Sequence, residues 1–289
     1  MSEAAISEKP PVIQTHTSSN QPLRYLQATA FVGIWMTMGW VYHLDGNSYL
    51  LIGVPLVVAF QVFIRKKPLV ALWVRDATRF RLNHWGIILA FAFTVLPIND
   101  LVDLFKSSSG SLNMPVILWK ICCVVGAFGV GFSLGHFTRQ TWKSLLFCMA
   151  TAGVIGCGIM IGPALLNKHS IDLTGHKVLN GLRWFALYFP VCFVIEEVAF
   201  RGAIDSHVHQ PGDKLPWLSA LYISAIWGLW HLPIAGVKEI PVIVVAMLLM
   251  SVHMATGVFL SFGWRRSGNL AVTSAVHALI DAVRNVVWR

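Results

Sequence analysis

Apolar runs of about 20 residues, separated by short polar connections, recur along almost the whole chain. A helix rises about 1.5 Å per residue and a hydrocarbon core is about 30 Å thick, so runs of this length suit membrane-spanning helices. Nine are expected, at 25–44, 49–64, 85–105, 114–137, 145–166, 182–204, 217–234, 240–262 and 270–288. The second and seventh are short, which makes eight the alternative count. The expected fold is therefore an all-α polytopic membrane protein of eight or nine transmembrane helices. No internal repeat strong enough for the inverted halves of a transporter is present.

Polar stretches set the domain boundaries. Residues 1–23 are polar, Ser-rich and mixed in charge, the pattern of a disordered tail rather than a secretory signal. Residues 24–180 form the N-terminal transmembrane part and 181–289 the C-terminal core. In the connection 65–84, Arg65, Lys66, Lys67, Arg75, Arg79 and Arg81 interleave with Leu69, Val70, Leu72, Trp73 and Val74, as in an amphipathic segment on a membrane surface. Its positive charge places it in the cytoplasm. Alternation then puts the N-terminus, Arg139 with Lys143, Lys214, and Arg265 with Arg266 on the same side. The opposing connections hold Asp45, Lys106, the stretch 168–177, and Lys238 with Glu239, a lower basic count.

Composition agrees. With 56% hydrophobic and 12% charged residues, the chain has no water-soluble surface, and the expected location is a multi-pass one, the bacterial inner membrane. A net charge of +9 invites a nucleic-acid reading, but the cations sit in the connections, where they contact anionic lipid headgroups. Membrane lipid, not nucleic acid, is the expected partner. The cysteines Cys122, Cys123, Cys148, Cys157 and Cys192 lie within apolar runs, which argues against disulfides, a cysteine-built metal site and a cysteine nucleophile.

An ionisable group at the centre of a membrane helix costs about 3 kcal/mol on insertion scales, so each is a functional candidate. Most lie after residue 180. Glu196 and Glu197 are adjacent, about 100° apart on a helix, so they serve different purposes. Glu197 has Arg201 four residues on, the favourable orientation for an ion pair. That leaves Glu196 free to act as a general base, the bland alternative being a structural Glu–Arg clamp beside a polar cavity. His231 lies in the run 217–234, and His277 lies in the last run with Asp281 on the same helix face.

Depth joins these residues. At about 1.5 Å per residue from the cytoplasmic face, Glu196 lies about 15 Å deep, His231 about 24 Å and His277 about 15 Å. All three can meet within the membrane. His207, His209, His169 and His176 are expected in solvated connections, and His253 in a helix–helix hydrogen bond. Asp100 and Asp103 are expected at the interface or a polar cavity.

Two glutamates with an arginine four after the second, an aromatic four before a histidine, and a histidine four before Asn or Asp are here Glu196, Glu197 and Arg201, Trp227 and His231, and His277 and Asp281. In these motifs the chain resembles the CPBP intramembrane proteases, the Abi or CAAX-protease group that includes Rce1-type prenyl-protein endopeptidases. The resemblance covers about residues 181–289, and Trp227 stands where the family usually has Phe. It implies a catalytic core in the C-terminal four helices, with Glu196 and His231 activating a water against a peptide carbonyl and His277 stabilising the oxyanion. Asp281 would orient His277 or act in the oxyanion site. An ionised aspartate there would repel the oxyanion, whereas Asn would donate to it.

The same residue types leave the cofactor open between none and zinc. Glu196, His231 and His277 would form a His₂Glu zinc set, with Glu197 as base. The metal-free mechanism is preferred because hydrating a peptide needs only a base and an oxyanion donor. The expected activity is endoproteolysis of a membrane-associated protein or peptide, with no residue selecting a prenylated substrate. Two other classes use the same buried groups, namely a proton-coupled transporter and a non-catalytic immunity or scaffold protein on the same fold.

Overall fold

The computed structural model describes residues 20–107, 112–166, 174–236 and 239–288, and every regular element among them is helical. The principal helices are α1 (Gln21–Val41), α2 (Gly46–Ile64), α3 (His84–Ser107), α4 (Met114–Leu134) and α5 (Arg139–Leu166), followed by α6 (Gly175–Cys192), α7 (Val198–Asp205), α8 (Pro216–Trp230), α9 (Val242–Ser267) and α10 (Leu270–Trp288). Of the tail expected at 1–23, residues 1–19 lie outside the described residues, as does His169, while α1 already begins at Gln21.

Six of these helices, α2, α3, α4, α5, α9 and α10, are long and apolar enough to cross a membrane, and the chain is an integral membrane protein. The count of eight or nine is not reproduced. α8 has only 15 residues. α1 is long enough but carries Gln21, Arg24 and Gln27 near its start and falls outside the set. The run 182–204 is not one helix, because α6 stops at Cys192 and helical structure resumes only at Glu196.

Polar side chains fix several helix ends. Asp45 caps α2 by accepting from the Asn47 and Ser48 amides at 3.0 and 3.3 Å. Thr138 and Thr141 form a capping box at the start of α5. Gly268 ends α9 at φ 61°, a left-handed conformation that favours glycine.

α3 packs on α4, α9 on α8 and α10 on α6. Hydrogen bonds identify one end of this bundle. There Asn83 donates to the Gly135 carbonyl, Arg24 to His207, and Arg265 to Asp205 and Ser219. At the opposite end, Asp100 of α3 pairs with Lys120 of α4 and with Arg183 of α6. Asp100 is thus held by two cations in the protein, while Asp103 is exposed.

The basic connection 65–84 belongs to the first end. It contains a single 3₁₀ turn, Leu69–Leu72, in which Ala71 and Leu72 are buried. A Cβ placed on Gly202 of α7 would lie 2.6 Å from the Leu72 carbonyl oxygen, so the glycine is what admits this turn. Arg65 donates to the Gly202 carbonyl at 2.7 Å. Ala71 and Leu72 therefore face the protein, while Leu69 and Phe80 of the same segment are exposed.

Trp73 ties this segment to two other elements. Its indole N–H donates to the Phe193 carbonyl at 2.8 Å, and its own carbonyl accepts from the Leu270 amide at 2.8 Å. Phe193 lies in the break after α6, where a carbonyl has lost its helical donor. Trp73→Phe is expected to lower thermal stability in detergent by about 1–3 kcal/mol, the cost of stranding such an acceptor. An unchanged unfolding midpoint would show that the bond contributes nothing.

Candidate active site

The break between α6 and α7 creates the site. Pro190 sits near the end of α6, and the following amides make tightened turns, Phe193 to the Pro190 carbonyl and Val194 to the Val191 carbonyl. Glu196 and Glu197 open the next helical stretch, which continues as the π-helical α7. Wide helical turns of this kind often occur at functional sites. α4 supports the break from behind: a Cβ on Gly126 would sit 1.9 Å from the Pro190 carbonyl oxygen. Gly126→Ala is expected to force the two helices apart and cost about 1–3 kcal/mol in a thermal unfolding measurement.

Glu196, Glu197, His231, His277, Asp281 and Arg201 come together. His231 ends α8, where its Nδ1 donates to the Trp227 carbonyl at 2.9 Å, so Nε2 points to Glu196 Oε2 at 3.6 Å. His277 Nδ1 donates to Glu197 Oε1 at 3.0 Å. Its Nε2 faces Glu196 Oε2 at 3.8 Å and Asp281 Oδ2 at 3.6 Å. The adjacent glutamates thus address opposite edges of one imidazole.

Accessibility separates their tasks. The side chains of Glu196 and His231 are 18% and 23% exposed, whereas those of Glu197 and Arg201 are 1% and 0% exposed. Glu196, His231 and Asp281 line a cavity of about 590 Å³, with Trp119, Trp184 and Tyr188 among its walls. Glu197 lies behind it, with Arg201 Nε at 3.9 Å from Glu197 Oε2. The Arg201 guanidinium also lies 4.8 Å from the centre of the Trp227 ring. The expected Glu197–Arg201 pair is present as an ion pair, but at a distance too long for a hydrogen bond.

Asp281 is not left as an isolated carboxylate, since Arg284 Nη1 meets its Oδ1 at 3.0 Å. Arg284 also lines the cavity. It lies seven residues after His277, a helical spacing that returns it to nearly the same face, and this was the available sequence signal.

His253 corrects an expectation. Its Nδ1 bonds the Leu249 carbonyl within its own helix, α9, at 2.7 Å. Its ring stacks on His231, with centroids 4.3 Å apart and planes 34° apart, and meets Trp227 edge-on at 4.6 Å. It is packed against the site through its ring. Nothing in the sequence around His253 marks that contact, which depends on how α9 packs on α8.

Glu196 Oε2 also accepts the Trp227 indole N–H at 3.2 Å. Among the described residues no group of three His, Cys, Asp or Glu is arranged to hold a metal ion. The zinc alternative for Glu196, His231 and His277, and with it a metalloprotease assignment, is not supported by this arrangement.

Residues 178–283 match the family model described as type II CAAX prenyl endopeptidase Rce1-like. That segment contains Glu196, Glu197, Arg201, Trp227, His231, His277 and Asp281, while Arg284 lies one residue beyond it. Neither the curated proteins nor the solved structures contain a match to the chain.

Proposed function

We propose, on the premise that the chain belongs through residues 178–283 to the Rce1-like family, that it is an intramembrane endopeptidase hydrolysing a membrane-associated protein or peptide with a glutamate-activated water. Membership supports a peptidase of the CAAX-protease type. The observation that carries the finer reading is the convergence of Glu196, His231 and His277 at one cavity wall, within 3.6 and 3.8 Å of a single carboxylate oxygen.

In this reading a water held between Glu196 and His231 Nε2 gives its proton to Glu196 as its oxygen attacks the peptide carbonyl carbon. His277 is fixed by Glu197, and its Nε2–H forms a hydrogen bond to the developing oxyanion and keeps its proton as the intermediate collapses. Glu196 then returns its proton to the leaving amine as the C–N bond breaks. Arg201 holds Glu197 in place, and Trp227 holds Glu196 through its indole N–H. Asp281 accepts the Arg284 guanidinium, which offsets the repulsion an isolated aspartate would exert on the oxyanion. The domain reading follows, with 181–289 as the catalytic core and 24–180 as the helices that frame it.

The test is a survey of protein termini in membranes of cells making the wild-type chain or the His231→Ala variant. New termini on membrane proteins are expected with the wild type and not with the variant. Identical sets of termini, with variant and wild type equally abundant, would contradict the reading. Proton flux across proteoliposomes without any new termini would instead favour the transporter.

A further inference from the structure

Two of the groups that hold Glu196 are themselves held by one side chain of α9. His231 Nε2 faces Glu196 Oε2 and the Trp227 indole N–H donates to it, and both of their rings meet His253. The His231 ring stacks on His253 with centroids 4.3 Å apart and planes 34° apart, while Trp227 stands at 84° to His253 with centroids 4.6 Å apart. His253 belongs to none of the spaced motifs that supply Glu196, His231 and His277, and it is not among the residues lining the cavity.

Close backbone approach seats this ring. His253 Nδ1 donates to the Leu249 carbonyl at 2.7 Å. The same carbonyl oxygen would lie 2.5 Å from a Cβ on Gly228, the residue after Trp227 in α8. Only a residue without a Cβ lets α9 come this near. One turn beyond His253, a Cβ on Gly257 would lie 2.6 Å from Ser224 Oγ of α8. The two glycines set the height and rotation of α9 on α8, and so the place of the His253 ring.

His231 needs such a wall. Its Nδ1 bond to the Trp227 carbonyl fixes one ring atom, yet the torsion that turns an imidazole about its Cβ bond is broad. The side chain is 23% exposed and lines the cavity. Trp230 borders it at 85°, with centroids 4.8 Å apart, but the stacked face is that of His253. We infer that His253 is a positioning residue: its ring sets the plane of His231 and the place of Trp227, and with them the directions in which Nε2 and the indole N–H meet Glu196. The effect on cleavage rests on the proposed function, whereas the effect on the His231 ring does not.

The test has one readout of each kind, in the full-length chain reconstituted in lipid bilayers. NMR of ¹⁵N-histidine-labelled protein reads the His231 tautomer, its signal identified by its loss in His231→Ala. Wild type and His253→Phe, which keeps a flat ring, are expected to hold the proton on Nδ1. His253→Ala is expected to show both tautomers, because an imidazole free to swing into water populates both. If His253→Ala does not fold, His253→Leu, which fills the space without a flat ring, takes its place. In cleavage, His253→Ala is expected to lose about 10–100-fold in kcat with KM unchanged, the scale of a small misplacement, and His253→Phe to recover most of that loss. A single Nδ1–H tautomer in His253→Ala, or a loss of kcat that His253→Phe does not recover, overturns the inference. If the wild type cleaves nothing, the enzymatic reading fails and the tautomers alone decide the role of His253.

Discussion

Glu196→Gln is expected to lower peptide cleavage by about 10²–10⁴-fold, the usual contribution of a positioned general base, while leaving the fold intact. The substitution keeps the size of the side chain and an oxygen for the Trp227 indole N–H, but removes the group that takes a proton from water. Glu196 has no full ion pair to lose: its histidine contacts are 3.6 and 3.8 Å and its side chain is partly exposed to the cavity. The check is cleavage rate together with thermal unfolding in detergent. A structural role would move both, whereas the proposed role moves the rate alone. Cleavage at the wild-type rate would remove Glu196 from the chemistry.

Arg201→Met is expected to act through stability. Arg201 and Glu197 are both buried, and Glu197 Oε2 has no hydrogen-bond partner of its own. The guanidinium is the cation beside that oxygen, so removing it strands a buried carboxylate, which typically costs about 3–5 kcal/mol. Adding Glu197→Gln to Arg201→Met is expected to recover part of this loss, because the stranded charge goes with it. Activity should not return, since Glu197 also fixes His277. The measurement is a double-mutant cycle on unfolding free energy, paired with cleavage. Stabilities that add without coupling would show that the 3.9 Å pair contributes nothing.

These expectations rest on a site largely legible in the sequence. Helical spacing joined Glu197 to Arg201 and His277 to Asp281, and alternation of the spans placed Glu196, His231 and His277 within reach of one another. The close distances in the structure agree with that placement. The interruption that exposes Glu196 was not legible, because Val191 to Ile195 is as apolar as a continuous membrane helix and only Pro190 hints at a stop. Hydropathy reports the solvent a segment prefers, and a broken and an unbroken helix prefer the same one.

The connection 65–84 was ambiguous for a related reason. Leu72 and Trp73 among arginines suit a membrane surface, and they suit equally a segment that turns its apolar side inward. What holds Leu72 and Trp73 against the protein is Gly202, whose missing Cβ admits the Leu72 carbonyl, and a carbonyl at Phe193 in need of a donor, while Leu69 and Phe80 stay exposed. Gly202 and Phe193 lie more than a hundred residues away in the chain. His253 was hidden likewise, since its partners His231 and Trp227 are on a neighbouring helix. Local patterns carried the residues of the site, whereas the groups that support it come from tertiary packing.

The central claim is that this site adds water to a peptide bond through Glu196. The most direct measurement supplies wild-type and Glu196→Gln membranes with ¹⁸O-labelled water and examines every newly formed C-terminus by mass spectrometry. The account expects new C-termini carrying one solvent-derived ¹⁸O in the wild type and none in the variant. New C-termini of equal abundance in both, or a wild type that forms none, would contradict it.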